Sequence, residues 1–359
     1  MMAESTESTS DRETGVVLGF LEEAEPWQLL ASQFPSKVGG KPAWLSQVDL
    51  PALPELTCEK CNLPQVFLLQ VYAPIAGYER GFHRTLFVFC CRTPSCYTRN
   101  DNLCFKVYRS QLPRRNDFYP YDPPPDEKPV EIEGEQHTLS SGVKLCRLCG
   151  CPGQKACSRC HTVTYCSKEH QTIDWKQRHK AECCKVPPGA DISNTFLFPE
   201  LELVTEPEEL PTKDKDSPEA VKLEQESIQC SNDGLEESEL EGMALHESKD
   251  SKMFQKFKER IAADPHQVLR YCRGSSPLWV SSEHMASEEE IPKCSCGAKR
   301  IFECQIMPQL LNHLKVDTLD ASIDWGTLAI YTCADSCDQG NRYSPEFIWK
   351  QDFAVEQSV

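Results

Sequence analysis

Four close pairs of metal-binding side chains lie between Cys146 and Cys183. Cys146 and Cys149 form one Cys-x2-Cys knuckle, and Cys157 and Cys160 form a second. Cys166 and His170 stand at C-x3-H spacing, and His179 and Cys183 at H-x3-C. Eight thiolate or imidazole ligands suit two tetrahedral zinc sites, because a structural site takes four nitrogen or sulfur ligands and leaves no place for water. The last two pairs need a helical turn to bring both side chains to one metal. The stretch from Ser167 to Cys183, without Gly or Pro, allows that turn. A disulfide cluster is the competing reading. The N-terminus, MMAESTESTSDRETG, is polar and acidic and does not read as a secretory leader. A reducing compartment with zinc-bound thiolates is therefore expected.

Eight further cysteines fall into two matching sets. Cys58, Cys61, Cys91 and Cys96 correspond in order to Cys294, Cys296, Cys333 and Cys337. Each set is threaded through the same succession of β-branched and aromatic runs. QVFLLQVYAP (Gln65 to Pro74) parallels RIFECQIMPQ, RTLFVFCC (Arg84 to Cys91) parallels GTLAIYTC, and LCFKVYR (Leu103 to Arg109) parallels EFIWKQDF. The order is that of an internal duplication. One zinc per half would clamp two knuckles at strand ends, as in a zinc ribbon. Alignment with Cys333 favours Cys91 over Cys90 as a ligand. Cys90, Cys104, Cys151, Cys184, Cys230, Cys272 and Cys304 read as ordinary buried or free thiols.

These sites need elements to hold them. Residues 1–14 read as a disordered tail and 15–112 as an N-terminal β repeat, with Trp27, Phe34 and Trp44 as core. Six prolines between Pro113 and Pro129 mark a linker over 113–140. The finger occupies 141–186. A disordered acidic linker is expected over 187–248, since Glu200 to Glu241 holds 15 Asp or Glu against three Lys. Residues 249–359 carry a helix and the second β repeat. Phe254, Phe257 and Ile261 share one helical face, and Pro265 ends that helix or opens another. The fold expected is α+β and β-rich: duplicated zinc-ribbon-like β repeats packed as one domain, with the finger inserted. No run of 18 apolar residues is present, so no membrane partner is expected.

The formal charge is −17. Fourteen thiolates against four Zn²⁺ would lower it to about −23. Such a surface repels nucleic acid and membrane headgroups and attracts basic partners. DNA binding is accordingly disfavoured, although the finger itself carries seven Lys or Arg against three acids from Cys146 to Cys184. There is no Gly-rich cofactor loop, H-E-x-x-H or nucleophile elbow, and the ligands come in closed fours. A non-enzymatic binding protein is expected, and exposed strand edges in the repeats would accept an extended client segment.

The order C-x2-C, C-x2-C, YC-x3-H, H-x3-C, with SKEHQ and DW between the last pairs, resembles a MYND zinc finger. The resemblance implies interleaved ligands: Cys146, Cys149, Cys166 and His170 on one zinc, and Cys157, Cys160, His179 and Cys183 on the other. Many MYND fingers have cysteine where His170 stands, and histidine keeps a competent ligand. It also implies docking of short peptides. FPSKVGGKPAWL (Phe34 to Leu45), HQVLRY, PLW and FIWKQDF (Phe347 to Phe353), together with the finger, resemble the programmed cell death protein 2 family. That resemblance implies two repeats packed as one β-rich domain around an inserted finger. It further implies a dedicated chaperone for one small-subunit ribosomal protein, the universal family numbered five, during 40S assembly in cytoplasm and nucleus. An alternative it carries is a nuclear regulator of transcription, proliferation and apoptosis, acting through corepressor peptides or DNA.

Overall fold

The computed structural model describes residues 15–128, 137–184, 195–209, 252–316 and 323–354. Among the described residues twelve strands form: β1 (Val17–Glu22), β2 (Lys37–Val38), β3 (Val66–Tyr72), β4 (His83–Cys90), β5 (Phe105–Leu112), β6 (Lys155–Ala156), β7 (Thr164–Tyr165), β8 (Leu201–Pro207), β9 (Leu269–Tyr271), β10 (Arg300–Ile306), β11 (Thr327–Cys333) and β12 (Ser344–Gln351). The six apolar runs singled out by composition are β3, β4, β5, β10, β11 and β12. Each is rich in the β-branched and aromatic residues that suit a pleated surface.

Ten strands close into an antiparallel barrel in the order β1-β8-β2-β3-β4-β5-β12-β11-β10-β9, with β9 returning to β1. Exchanging β1–β5 for β8–β12 regenerates the same cyclic order. Each half therefore lends its first strand to the other: β1 lies beside β9, and β8 beside β2. The correspondence reaches single residues. A register shift interrupts β3 between Phe67 and Leu69, and one interrupts β10 between Phe302 and Cys304. Gln70 and Gln305 are both buried and both clamp a Pro-x-Trp segment. Gln70 Oε1 accepts from Ala43 N at 2.9 Å, and Gln305 Oε1 from Leu278 N at 2.6 Å.

Two expectations are corrected here. Barrel closure gives each of the ten strands a neighbour on both sides, which removes the free sheet edge that an extended client was to join, although the short β2 covers only Leu201 and Glu202 of β8. The acidic linker expected over 187–248 contains β8, whose Leu203 packs inside the barrel. The alternation Leu-Glu-Leu is a strand pattern that the surrounding charge density concealed. Residues 210–248 and the 1–14 tail lie outside the described residues. The Pro-rich segment, over 113–128, contains no helix or strand but folds back on the barrel. Tyr119 donates its hydroxyl to the Leu45 carbonyl at 2.8 Å.

Strand alternation sorts the side chains into separate cores. Leu86, Val88 and Cys90 of β4 point into the barrel with Val107, Leu328, Ile330 and Ile348. Phe87 and Phe89 point outward and, with Phe67 and Tyr108, pack under Trp44 and the finger. On the other half, Phe302, Ala329, Tyr331 and Trp349 form the outward cluster. The helix over 252–262 lays Phe257 and Ile261 against Val280 and Met307. After Pro265 no second helix forms; the chain enters β9. Inside the barrel, Arg84 of β4 makes a bidentate, fully buried pair with Glu303 of β10, which also accepts from Tyr271 Oη at 2.9 Å. Glu346 takes both Arg109, at 2.7 Å, and Arg300, at 2.8 Å. Among the described residues no helix is long and apolar enough to cross a membrane.

Candidate metal centres

The sixteen candidate ligands gather into four groups of four, and within each group the donor atoms lie within 4.8 Å of one another. One group is Cys58, Cys61, Cys91 and Cys96, and its counterpart is Cys294, Cys296, Cys333 and Cys337. In the finger, Cys146, Cys149, Cys166 and His170 form one group, and Cys157, Cys160, His179 and Cys183 the other. Cys90 stands apart, pointing into the barrel, while the Cys91 sulfur is 3.5 Å from that of Cys61. None of the remaining described cysteines belongs to a group, and Cys230 lies outside the described residues.

Each knuckle is built the same way. The residue after the second cysteine turns into the left-handed region: Asn62 at φ 58°, Gly150 at 72°, His161 at 56° and Gly297 at 93°. The turn lets a backbone N–H reach back to the first cysteine's carbonyl, as Asn62 N does at 2.9 Å and Gly297 N at 2.8 Å. Glycine and asparagine enter that region at little cost, so a Gly or Asn after the second cysteine was a signal available in the sequence. The single-residue spacing of Cys294 and Cys296 still closes, because Cys294 N finds Ala298 O at 2.9 Å. The opposite ligands sit at strand ends, where β4 delivers Cys91 and β11 delivers Cys333.

The finger's last ligands come from a helix that starts at Ser167. Its hydroxyl caps the helix by accepting from His170 N at 3.1 Å, which seats His170 one turn from Cys166. Trp175–His179 form a π turn between α-helical segments. That wide turn precedes Cys183, whose N–H donates to His179 O at 2.7 Å. Tyr165 donates to Asp174 Oδ2 at 2.6 Å and ties β7 to the helix.

The spacing of donors suits a shared ion. Sulfurs on a tetrahedron with arms of about 2.3 Å are about 3.8 Å apart, whereas disulfide sulfurs are bonded at about 2.05 Å. The separations are 3.7 Å for Cys149–Cys166, 3.6 Å for Cys296–Cys333 and 3.7 Å for Cys294–Cys337. The imidazoles join them: His170 Nδ1 is 3.1 Å from Cys166 Sγ, and His179 Nε2 is 3.5 Å from Cys160 Sγ. These four clusters fit zinc binding, and a four-donor set would leave no open coordination position.

Electrostatics points the same way. At Cys61, burial resists ionisation, but a hydrogen bond from the Leu63 backbone and neighbouring thiols bring the pKa down to about 7. Cys91 beside it is pushed up to about 11, chiefly by burial. In the other half Cys294 falls to about 7 and Cys333 rises to about 12, burial again being the main upward force. One thiolate in each set is easy to form and a second is opposed; a divalent cation removes the opposition.

The finger docks on the N-terminal half through Trp44. Its indole N–H donates to Gly150 O at 2.7 Å, and its ring stacks on Phe87 at 5.4 Å. A Cβ at Gly150 would stand 2.8 Å from Lys41 Cβ, so the contact needs glycine on two counts. Neither the Trp44–Gly150 contact nor the two Gln clamps was legible in the sequence, since each depends on segments distant in the chain.

The chain matches three family descriptions: Programmed cell death protein 2, N-terminal domain, over residues 15–126; MYND finger, over 146–183; and Programmed cell death protein 2, C-terminal putative domain, over 251–357. It is 53% identical to Programmed cell death protein 2 of Bos taurus over 339 residues, covering 93% of this chain and 96% of that one. It is 51% identical to the protein of the same name from Rattus norvegicus, covering 94% and 96%. Probable 20S rRNA accumulation protein 4 of Schizosaccharomyces pombe is 24% identical, over 85% of this chain and 88% of its own. No solved structure matches this chain. With this identity spanning barrel and finger alike, the chain belongs to the programmed cell death protein 2 family.

Proposed function

We propose that this protein is a non-enzymatic, zinc-stabilised chaperone for a basic small-subunit ribosomal protein, the universal family numbered five, and carries it into 40S assembly in cytoplasm and nucleus. Two Zn²⁺ sit in the finger and one in each barrel half, the halves being duplicated zinc-ribbon-like repeats. The observation that carries this reading is the Schizosaccharomyces pombe relative, named for 20S rRNA accumulation, which aligns with 85% of this chain. The formal charge of −17 supports it, because an acidic holder meets a basic client quickly and discourages nucleic acid. The closed ligand sets support a structural role for the metal.

The finger's Lys and Arg favour a second reading, in which it docks acidic or corepressor peptides in the nucleus. Affinity purification from cells, with full chain and with Cys157→Ser, separates the two. A stoichiometric ribosomal protein held by both proteins is the expected result. Corepressors held by the full chain alone, with no ribosomal protein, would sink the chaperone reading.

A further inference from the structure

The exchange of first strands creates a surface that no other part of the barrel repeats. In β1 and β8, Gly19, Leu21 and Leu203 face the interior: a Cβ on Gly19 would meet Leu269 and Leu203, and Leu203 belongs to the barrel core. The alternate residues therefore face outward. The register stacks them in rows: Glu22 opposite Glu202, Phe20 opposite Val204, and Leu18, which is itself covered and only 2% exposed, opposite the exposed Glu206. Two carboxylates directly opposite in an antiparallel pair repel each other. Among the described residues no cation is paired with Glu22, Glu202 or Glu206. Lys37 extends the first row, but its ammonium is held by Glu200. Arg270 extends the last row, but it is held by Glu208, at 2.7 Å, and Gln267, at 2.7 Å. Phe20 and Val204 are half-buried and pack against none of the four apolar clusters.

An uncompensated carboxylate pair, an apolar pair and a further carboxylate, each one strand repeat apart, make a ladder. Its rungs are about 6.6 Å apart, the distance between alternate side chains of any extended chain. We propose that the outer face of the β1–β8 ribbon is where the client is held. It grips an extended segment with Lys or Arg at positions i and i+4 and an apolar side chain at i+2. This rests on the chaperone reading above and assigns its surface. The first cation bridges Glu22 and Glu202, the apolar side chain covers Phe20 and Val204, and the second cation meets Glu206. Binding is by side chains, since β1 and β8 pair their backbones with each other from Val17 to Glu22 and Glu202 to Pro207, and the outer face of that ribbon presents side chains. A second copy of this chain would bring the same negative charge to the same place and is repelled.

The test uses the full-length zinc-loaded protein and a labelled dodecamer centred on Lys-Thr-Leu-Thr-Arg, read by fluorescence anisotropy. The double substitution Glu22→Lys with Glu202→Lys should weaken the peptide by about tenfold or more, and Glu22→Gln with Glu202→Gln by somewhat less. Glu288→Lys with Glu289→Lys, on the exposed loop before β10, should leave it within about twofold. The Gln variant should also melt no lower than the parent, because it removes a like-charge pair; that keeps the result separate from misfolding. Peptide affinity unchanged in both ribbon variants, or lowered equally by the loop variant, overturns the assignment. Purification from cells then divides the failures. A basic ribosomal protein retained by the parent and lost from the Lys variant supports the surface. Equal retention by both overturns the surface and leaves the chaperone reading standing. No ribosomal protein on either ends that reading and, with it, the ribbon as a client site.

Discussion

The two halves of the barrel carry the same parts and differ in what lies on them. Each has a cysteine cluster, a register shift in its first long strand, and a buried glutamine clamping a Pro-x-Trp segment. On the N-terminal half the clamped Trp44 is buried beneath the finger, among Phe67, Phe87 and Phe89. On the C-terminal half the clamped Trp279 is half-buried, packed on Phe302, Tyr331 and Trp349 under an irregular segment. Where Phe87 stands two residues before Phe89 in β4, β11 has Ala329 before Tyr331. The difference teaches that the cysteine cluster and the strand closure are common to both halves of the barrel. The outer aromatic volume follows what is docked there.

The largest effect should break both halves at once. Cys91→Ser and Cys333→Ser should each unfold the whole barrel, because the halves share one closed sheet. Structural zinc binds with roughly 10–16 kcal/mol in small fingers, comparable to a domain's stability of roughly 5–15 kcal/mol. Cys157→Ser should spoil only the finger. Zinc content with thermal melts by circular dichroism checks this; a barrel retaining half its strand signal in either variant would contradict it.

Next comes the buried pair joining the halves. Arg84→Ala should cost about 3–5 kcal/mol by stranding the Glu303 carboxylate, while Arg84→Met with Glu303→Leu should cost much less. Urea titrations of the two variants decide it, and equal losses would mean that packing, not charge, is at stake.

The tryptophans sharpen the comparison directly. Trp44→Ala should lose about 3–5 kcal/mol, and Trp279→Ala clearly less, since it buries less surface. The Trp44 variant alone should also free the finger, visible as faster amide exchange between Leu145 and Tyr165.

The smallest effect is a pH dependence that belongs to the N-terminal half. His83 stacks on Phe34 at 4.1 Å, and burial, reinforced by the Arg114 cation, lowers its pKa. The unfolded chain then takes up this proton more readily than the folded one. Stability is full well above the ordinary histidine value of about 6.5 and declines as pH falls through it towards the folded value. The C-terminal half has Trp325 at the matching distance from its Cys333. Melting temperatures at about pH 7.5 and about pH 5.5 should therefore differ more for the parent than for His83→Phe. Equal differences would remove His83 from the account.

Much of this was legible in the chain. The pairing of Cys58, Cys61, Cys91 and Cys96 with their counterparts, and the six long strands, could be read from local composition. Strands β2 and β9 could not, being two and three residues long. Nor could β8, because Glu202 and Glu206 within Leu201–Pro207, with Glu200, Glu208 and Glu209 beside it, look like more of the acidic run that follows. Its strand character comes from Leu203 entering a cavity that other segments enclose.

By itself the sequence determined the ligand types, their spacing and the β-rich runs between them, because knuckle turns and strand periodicity act over a few residues. Only the tertiary structure decided that the barrel closes, that β1 and β8 change places, and that the finger rests on Trp44. Those outcomes depend on side chains and backbone groups brought together across tens to hundreds of residues. No local pattern encodes which distant strand will satisfy a given edge.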